Sequence, residues 1–370
     1  MLASNILMKH SITRWIGLGA FLVLNHFYTP AWADTWVSAK DDGFEYVGRV
    51  DFSRQDAPLL SWPGTSIRAR FTGSVLSLTL EDQKGNNFYN VFIDGERLHP
   101  YVLEAKKGKH EYLIASQLKP GEHELEIYKR TEGEEGWSRF YGLTLEDNAR
   151  LVPRQKTKKR KMEIFGDSIS SGMGNEGADN GEDHLASEKN HYWSYGAVTA
   201  RALEAELHTI SKSGIGIMVS WFPFTMPEYY DQLDASSNND SVWDFSSWTP
   251  DLVVINLFQN DKWLVDREKR LQPIPNDTQR IQAYIDFVSV IRAHYPEAHI
   301  VCALGSMDAT QDEQWPGYIL EAVAQMTQNG DKNLSTVFFP FNGYGQHPRV
   351  AQHKANAAIL TEHIEEVMGW

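Results

Sequence analysis

Residues 161–175 read KMEIFGDSISSGMGN, a short apolar run that stops at Gly166, Asp167 and Ser168. Met162, Ile164 and Phe165 predict a buried strand, and the Gly and Ser cluster after them continues neither a strand nor a helix. A serine at such a strand end stands where open α/β sheets receive their ligands. Gly-Asp-Ser is also an ordinary turn composition, so the meaning of Ser168 depends on what the rest of the chain brings to it.

Downstream the rhythm is regular. Apolar runs at 162–165, 207–210, 252–257, 299–304 and 337–339 alternate with amphipathic segments at 192–205, 278–294, 318–327 and 350–367. Strands alternating with helices predict a parallel sheet covered on both faces, the α/β class. The acidic, Gly-rich piece 175–190 reads as a surface loop beside the first strand end.

Upstream, residues 43–145 show short alternating runs between turn residues. In 75–80 Leu76, Leu78 and Leu80 share one face, and in 122–128 His123, Leu125 and Ile127 oppose three glutamates. Asp94-Gly95 and Pro120-Gly121 are turn signals between such runs. This half is expected to be an all-β sandwich of jelly-roll type. The predicted organisation is a leader at 1–33, a sandwich at 34–151, a basic linker at 152–161 and an α/β domain at 162–370.

The leader reading rests on a stretch without acids that carries Lys9 and Arg14, an apolar run over 15–24, and Ala31-Trp32-Ala33. That is a secretory signal pattern, with an apolar run too short to span a bilayer. Extracellular or periplasmic export is therefore expected. Without the two leader cations the net charge moves from -14 to -16. Such an acidic chain repels nucleic acid and anionic membranes, so neither is expected as partner. Cys302 is the only cysteine, and its apolar surroundings predict an inert buried thiol.

A hydroxyl nucleophile needs a base within hydrogen-bond reach and donors for the oxyanion it creates. Three segments beside predicted strand ends offer them: Ser211-Lys212-Ser213-Gly214-Ile215-Gly216, Gln259-Asn260-Asp261 and Gln346-His347-Pro348. No His-Glu-x-x-His motif or close His/Cys/Asp cluster occurs, so no metal or other cofactor is expected.

Ser, Gly, Asn and His in loops at successive strand ends resemble the SGNH (GDSL-like) hydrolase superfamily. GDSISSGMGN, SYGAVTARALEAELHTISKSGIG, TMPEYYDQL, WDFSSWTPDLVVINLFQND and HPRVAQHKANAAIL are similar to carbohydrate esterase family 2, which also has an N-terminal jelly roll. The resemblance implies Ser168 as nucleophile and its own N–H as an oxyanion donor. It implies Gly214 as the second donor, with Gly216 as its rival, Asn260 as the third, and His347 as general base.

Two positions depart from the pattern. Tyr344 stands where many SGNH enzymes carry the aspartate that orients the histidine, and no acid lies between Asn342 and Arg349. A Ser-His dyad is therefore expected, with Asp167 and Asp261 structural. Phe258 replaces a usual glycine and is expected to narrow or reshape the pocket near Asn260. Trp221, Trp263 and Trp315 fall near strand ends, and Trp263 and Trp315 are the candidates for stacking on a sugar. The resemblance implies a secreted esterase that removes O-acetyl groups from xylan, glucomannan or their oligosaccharides. The alternative is a non-catalytic glycan-binding protein with a decayed hydrolase half.

Overall fold

A computed structural model describes residues 34–153, 160–236, 241–343 and 345–370. The expected leader, most of the basic run and Tyr344 lie outside the described residues. The alternating runs of the N-terminal half become β1 (Thr35–Ser38), β2 (Glu45–Val47), β3 (Val50–Asp51), β4 (Leu59–Leu60), β5 (Ser66–Thr72), β6 (Leu76–Asp82), β7 (Phe88–Ile93), β8 (Tyr101–Glu104), β9 (Gly108–Ala115), β10 (Glu122–Lys129), β11 (Ser138–Leu145) and β12 (Leu151–Val152). They build two antiparallel sheets. One is ordered β3-β4-β11-β6-β9 with β1 also on β11, the other β12-β5-β10-β7-β8 with β2 also on β5. Leu76, Leu78 and Leu80 are sealed between the sheets with Phe71, Leu125 and Phe140.

The glutamates of β10 divide. Glu122 and Glu124 face solvent, whereas Glu126 is buried. It accepts from Arg68 Nε at 2.7 Å and from Arg97. Burial opposes its charge, but the two guanidinium groups outweigh burial and hold its pKa at about 2. The simple in-out alternation fails here because the outer face of this sheet lies against other parts of the chain.

The C-terminal half is the expected parallel sheet. Its strands are β13 (Lys161–Gly166), β14 (Glu206–Ser211), β15 (Leu252–Asn256), β16 (His299–Leu304) and β17 (Leu334–Phe338), ordered β14-β13-β15-β16-β17. The helices are α1 (Ser168–Ser171), α2 (Tyr195–Ala202), α3 (Gln259–Lys262), α4 (Asp277–His294), α5 (Gln314–Gln328) and α6 (Val350–Met368). Val253 and Ile255 pack with Phe287 and Ile291 of α4 and Ile319 of α5. Val254, between them in sequence, packs on the other face with Ala200 of α2 and Leu360 of α6. Both faces of β15 are covered, which is why its sequence reads as an unbroken apolar run. The edge strand β17 starts earlier than its apolar signal, because only Val337 of its five residues is buried. A capping box starts α4: Asn276 Oδ1 accepts from Gln279 N and Gln279 Oε1 from Asn276 N, both at 2.9 Å.

Residues 34–370 form one compact unit. Arg49, from the sandwich, is 1% exposed and donates to Glu163 on β13 at 3.1 Å and to the carbonyls of Tyr230 and Gln232 at 2.6 and 3.1 Å. The rings of Trp62, Phe165, Trp243 and Phe245 surround its guanidinium. Burial raises the Glu163 pKa and Arg49 pulls it back, so each ion needs the other. The variant Arg49→Met should lose about 3–5 kcal/mol in urea unfolding, because Glu163 is left buried without its cation. Adding Glu163→Gln should recover part of that loss; a single-variant cost below about 1 kcal/mol would show that the pair does not clamp the halves together.

Candidate active site

Strand β13 ends at Gly166, where an added Cβ would lie 2.0 Å from Ser170 Oγ, so glycine lets α1 fold back close against the strand end. Asp167 then caps α1, its Oδ1 accepting from Ile169 N at 2.9 Å. This fixes Ser168 at the first helical position, at the carboxyl end of the sheet. Its hydroxyl meets His347 Nε2 at 2.7 Å. His347 comes from the segment just before α6, so strand end and helix start bring the two side chains together from opposite parts of the sequence.

The other ring nitrogen, His347 Nδ1, meets Asp183 Oδ2 at 2.8 Å, and His347 N donates to the same oxygen at 3.0 Å. The expected Ser-His dyad is thus corrected: a carboxylate stands behind the histidine, and it comes from the loop that follows the serine. An ionised carboxylate only accepts, so Nδ1 carries the proton and Nε2 is left to accept from Ser168.

Arg349, 4% exposed, holds Asp183 in turn. It donates to Asp183 Oδ1 and Gly174 O at 2.5 Å, to Ala178 O at 2.9 Å and to Gly181 O at 3.2 Å. Gly174 (φ +59°) allows the close approach, since a Cβ there would lie 2.7 Å from Asp183 Cα. Partial burial disfavours the Asp183 charge, but the hydrogen bonds from His347 and Arg349 prevail and hold its pKa at about 2.

Gly214 (φ +86°) follows β14 in a conformation that suits glycine. Among the described residues its N–H has no hydrogen-bond acceptor, and neither does that of Ser168. Gly216 N–H, by contrast, donates to Ser220 Oγ at 3.0 Å. The Asn260 amide is fixed by Trp221: indole Nε1 can only donate, and it reaches Asn260 Oδ1 at 3.2 Å. Asn260 Nδ2 therefore points inward, to Ile215 O at 2.9 Å and Asp167 Oδ2 at 3.3 Å. The longer bond is the one an oxyanion would have to replace.

Two family descriptions match the chain: the carbohydrate esterase 2 N-terminal region over residues 46–154 and the GDSL-like lipase/acylhydrolase family over 164–360. A solved family two carbohydrate esterase from Clostridium thermocellum, in complex with cellohexaose, is 32% identical. The likeness covers 89% of this chain and 100% of that one, with a TM-score of 0.80. The chain belongs to carbohydrate esterase family 2. It is also 33% identical over 336 residues to the cellulase/esterase CelE of Acetivibrio thermocellus, 89% of this chain but only 40% of that protein's length. An acetylxylan esterase / glucomannan deacetylase of Cellvibrio japonicus is 27% identical over 90% of this chain and 91% of its own.

Of the two tryptophans expected to meet sugar in this family 2 esterase, one is sealed in the core and the other is only partly covered. Trp315 is fully buried, donates to Asp266 Oδ2 at 2.8 Å and packs on Phe258. Trp263 is half-buried with its Nε1 on Asp308 Oδ1 at 2.6 Å. Trp221 is the indole beside the reaction centre, 42% exposed. Phe258 is corrected as well. Its backbone takes the left-handed conformation a glycine would (φ +94°), while its ring turns away into the core against Tyr284 and Trp315, so it does not narrow the pocket.

Asp167 makes its cap and its bond to Asn260, not a bond to His347; burial raises its pKa to about 7. Asp261 accepts from the backbone N–H of Ile217, Met218 and Val219 at 2.6–3.3 Å. It thus braces the turn after Gly216. Cys302 is sealed, with burial pushing its thiol to about 12. Among the described residues no three His, Cys, Asp or Glu side chains converge as a metal site.

The asparagine variant Asp183→Asn should lower kcat by roughly 10²- to 10⁴-fold with KM little changed, since an amide neither sets the tautomer nor offsets imidazolium charge. A loss below threefold in steady-state ester hydrolysis would restore the dyad. The same variant reports on stability. Above pH about 4 an unfolded aspartate is ionised too, so the Asp183 bonds contribute fully there, and the contribution is lost as pH falls through about 2. Wild type should accordingly melt above Asp183→Asn at pH 5, and the gap should narrow by pH 3.

Proposed function

We propose that this protein is a secreted serine esterase that removes O-acetyl groups from plant cell-wall polysaccharides such as xylan and glucomannan, or from their oligosaccharides. The observation that carries the reading is the 2.7 Å bond between His347 Nε2 and Ser168 Oγ, backed by Asp183 at 2.8 Å. The acetylxylan esterase / glucomannan deacetylase relative supports the substrate class, and the leader-like composition of residues 1–33 supports export.

In the proposed course Ser168 Oγ attacks the acetyl carbonyl while His347 Nε2 takes the hydroxyl proton. The resulting oxyanion is received by the N–H groups of Ser168 and Gly214, with Asn260 Nδ2 turning from Asp167 to join them. Collapse breaks the bond to the sugar oxygen, which leaves with the proton from His347. Water, deprotonated by His347, then attacks the acetyl-serine and releases acetate. Asp183 stays ionised throughout, keeping the ring oriented and offsetting its transient positive charge. An assembled Ser-His-Asp line supports this reading over a decayed hydrolase that only binds glycans.

Acetate release from acetylated xylan and acetylated glucomannan tests the proposal. Wild type should release acetate from at least one, and Ser168→Ala and His347→Ala should each lose it by at least 10³-fold. A folded wild-type protein that releases none from either would overturn it. Removing the third donor with Asn260→Ala should cost about 3 kcal/mol in barrier, read as kcat/KM.

A further inference from the structure

A second cleft, of about 750 Å³, runs beside the outer face of the sheet that contains β5 and β10, with α2 and β14 on its other side. None of Ser168, Asp183, Gly214, Asn260 or His347 lines it. Its wall carries two guanidinium groups backed by aromatic rings. The Arg97 guanidinium carbon lies 4.9 Å from the Phe92 ring centroid and that of Arg201 lies 3.7 Å from the Tyr192 centroid, and the two rings are 4.7 Å apart.

The two arginines differ in what they hold. Arg97 donates to Glu126, which Arg68 also engages. Arg201 has no hydrogen-bond acceptor among the described residues; its contacts are the rings of Tyr192 and Trp193. Burial disfavours its cationic form, and Tyr192, Tyr128 and Glu126 offset burial only in part. A stacked guanidinium has its faces covered and its N–H edge open, which is the geometry that takes a carboxylate through two parallel hydrogen bonds.

We propose that this cleft is a second carbohydrate site, specific for acidic sugars, in which the carboxylate of a uronic acid residue docks on the Arg201 guanidinium that Tyr192 backs. The carboxylate neutralises the one guanidinium in the cleft wall that lacks an acceptor. The choice of a sugar as bearer of the carboxylate rests on the proposed action on glycans; the anion preference rests on Arg201 alone. Such a site would retain uronate-decorated chains on the protein without touching the ester chemistry.

Calorimetric titration of the wild-type protein with an unacetylated xylo-oligosaccharide bearing one glucuronic acid, with its carboxyl-reduced neutral counterpart and with inorganic phosphate, tests the site directly. The acidic oligosaccharide should bind saturably, and the reduced one and phosphate at least tenfold more weakly. Arg201→Met should weaken the acidic ligand at least tenfold, with Arg201→Lys in between, while both hydrolyse an aryl acetate at the wild-type rate. Equal binding of the reduced sugar, phosphate binding as tightly as the uronate, or full affinity in Arg201→Met would each overturn the proposal. The ligand pair on wild type decides the matter even if Arg201→Met folds poorly. Loss of acetate release with uronate binding intact would fault the esterase reading and leave this one standing.

Discussion

The site depends on one carboxylate shared between a ring and a guanidinium. Asp183 offers one oxygen to His347, through both its ring and backbone N–H, and the other to Arg349. His347 and Arg349 sit two residues apart at the entry to α6, so a single helix start presents both partners to the loop. Arg349 also gathers the carbonyls of Gly174, Ala178 and Gly181. The loop after Ser168 is thereby wound around the guanidinium, and the Asp183 carboxylate is delivered to the His347 ring. Charge-assisted bonds from two donors fix the carboxylate more tightly than either would alone.

The sandwich takes part in the same architecture. Glu132, just past β10, accepts from Ser213 N at 2.7 Å, from the Ser213 hydroxyl, and from Ser171 Oγ at 3.2 Å. Ser213 precedes Gly214, and Ser171 closes the short helix that begins at Ser168. One buried side chain from the β-sandwich therefore touches both the segment that carries Ser168 and the one that carries Gly214. Lys189 compensates its charge together with that of Glu135. With Arg49 reaching Glu163 on β13, the β half braces the α/β half at a second place.

Much of this was legible in the chain. Period and composition place the five parallel strands, because buried strands read as apolar runs and their helices as amphipathic ones. Ser168, His347, Gly214 and Asn260 are legible through motif resemblance, and the structure brings the Ser168 and His347 side chains into contact. Asp183 was not, since it lies in a polar loop with no periodicity, and only folding puts it 164 residues away from its partner at 2.8 Å. The signal that could have found it is the run of acids and glycines directly after the nucleophile, paired with the arginine two residues beyond the histidine. Phe258 misled because a large ring in place of a small residue is read as filling the pocket, whereas here the ring packs away from it against Tyr284 and Trp315. Trp315 misled because loop position in sequence does not report burial.

The central claim is that the Asp183 carboxylate holds the His347 Nδ1 proton. Proton NMR of the ¹⁵N-labelled protein observes that proton directly, as a far-downfield resonance bonded to a ring nitrogen. The account predicts such a signal in wild type, assigned to His347 by its loss in His347→Ala, and its loss or large upfield movement in Asp183→Asn. A wild-type spectrum without it, or one that Asp183→Asn leaves unchanged, would contradict the account.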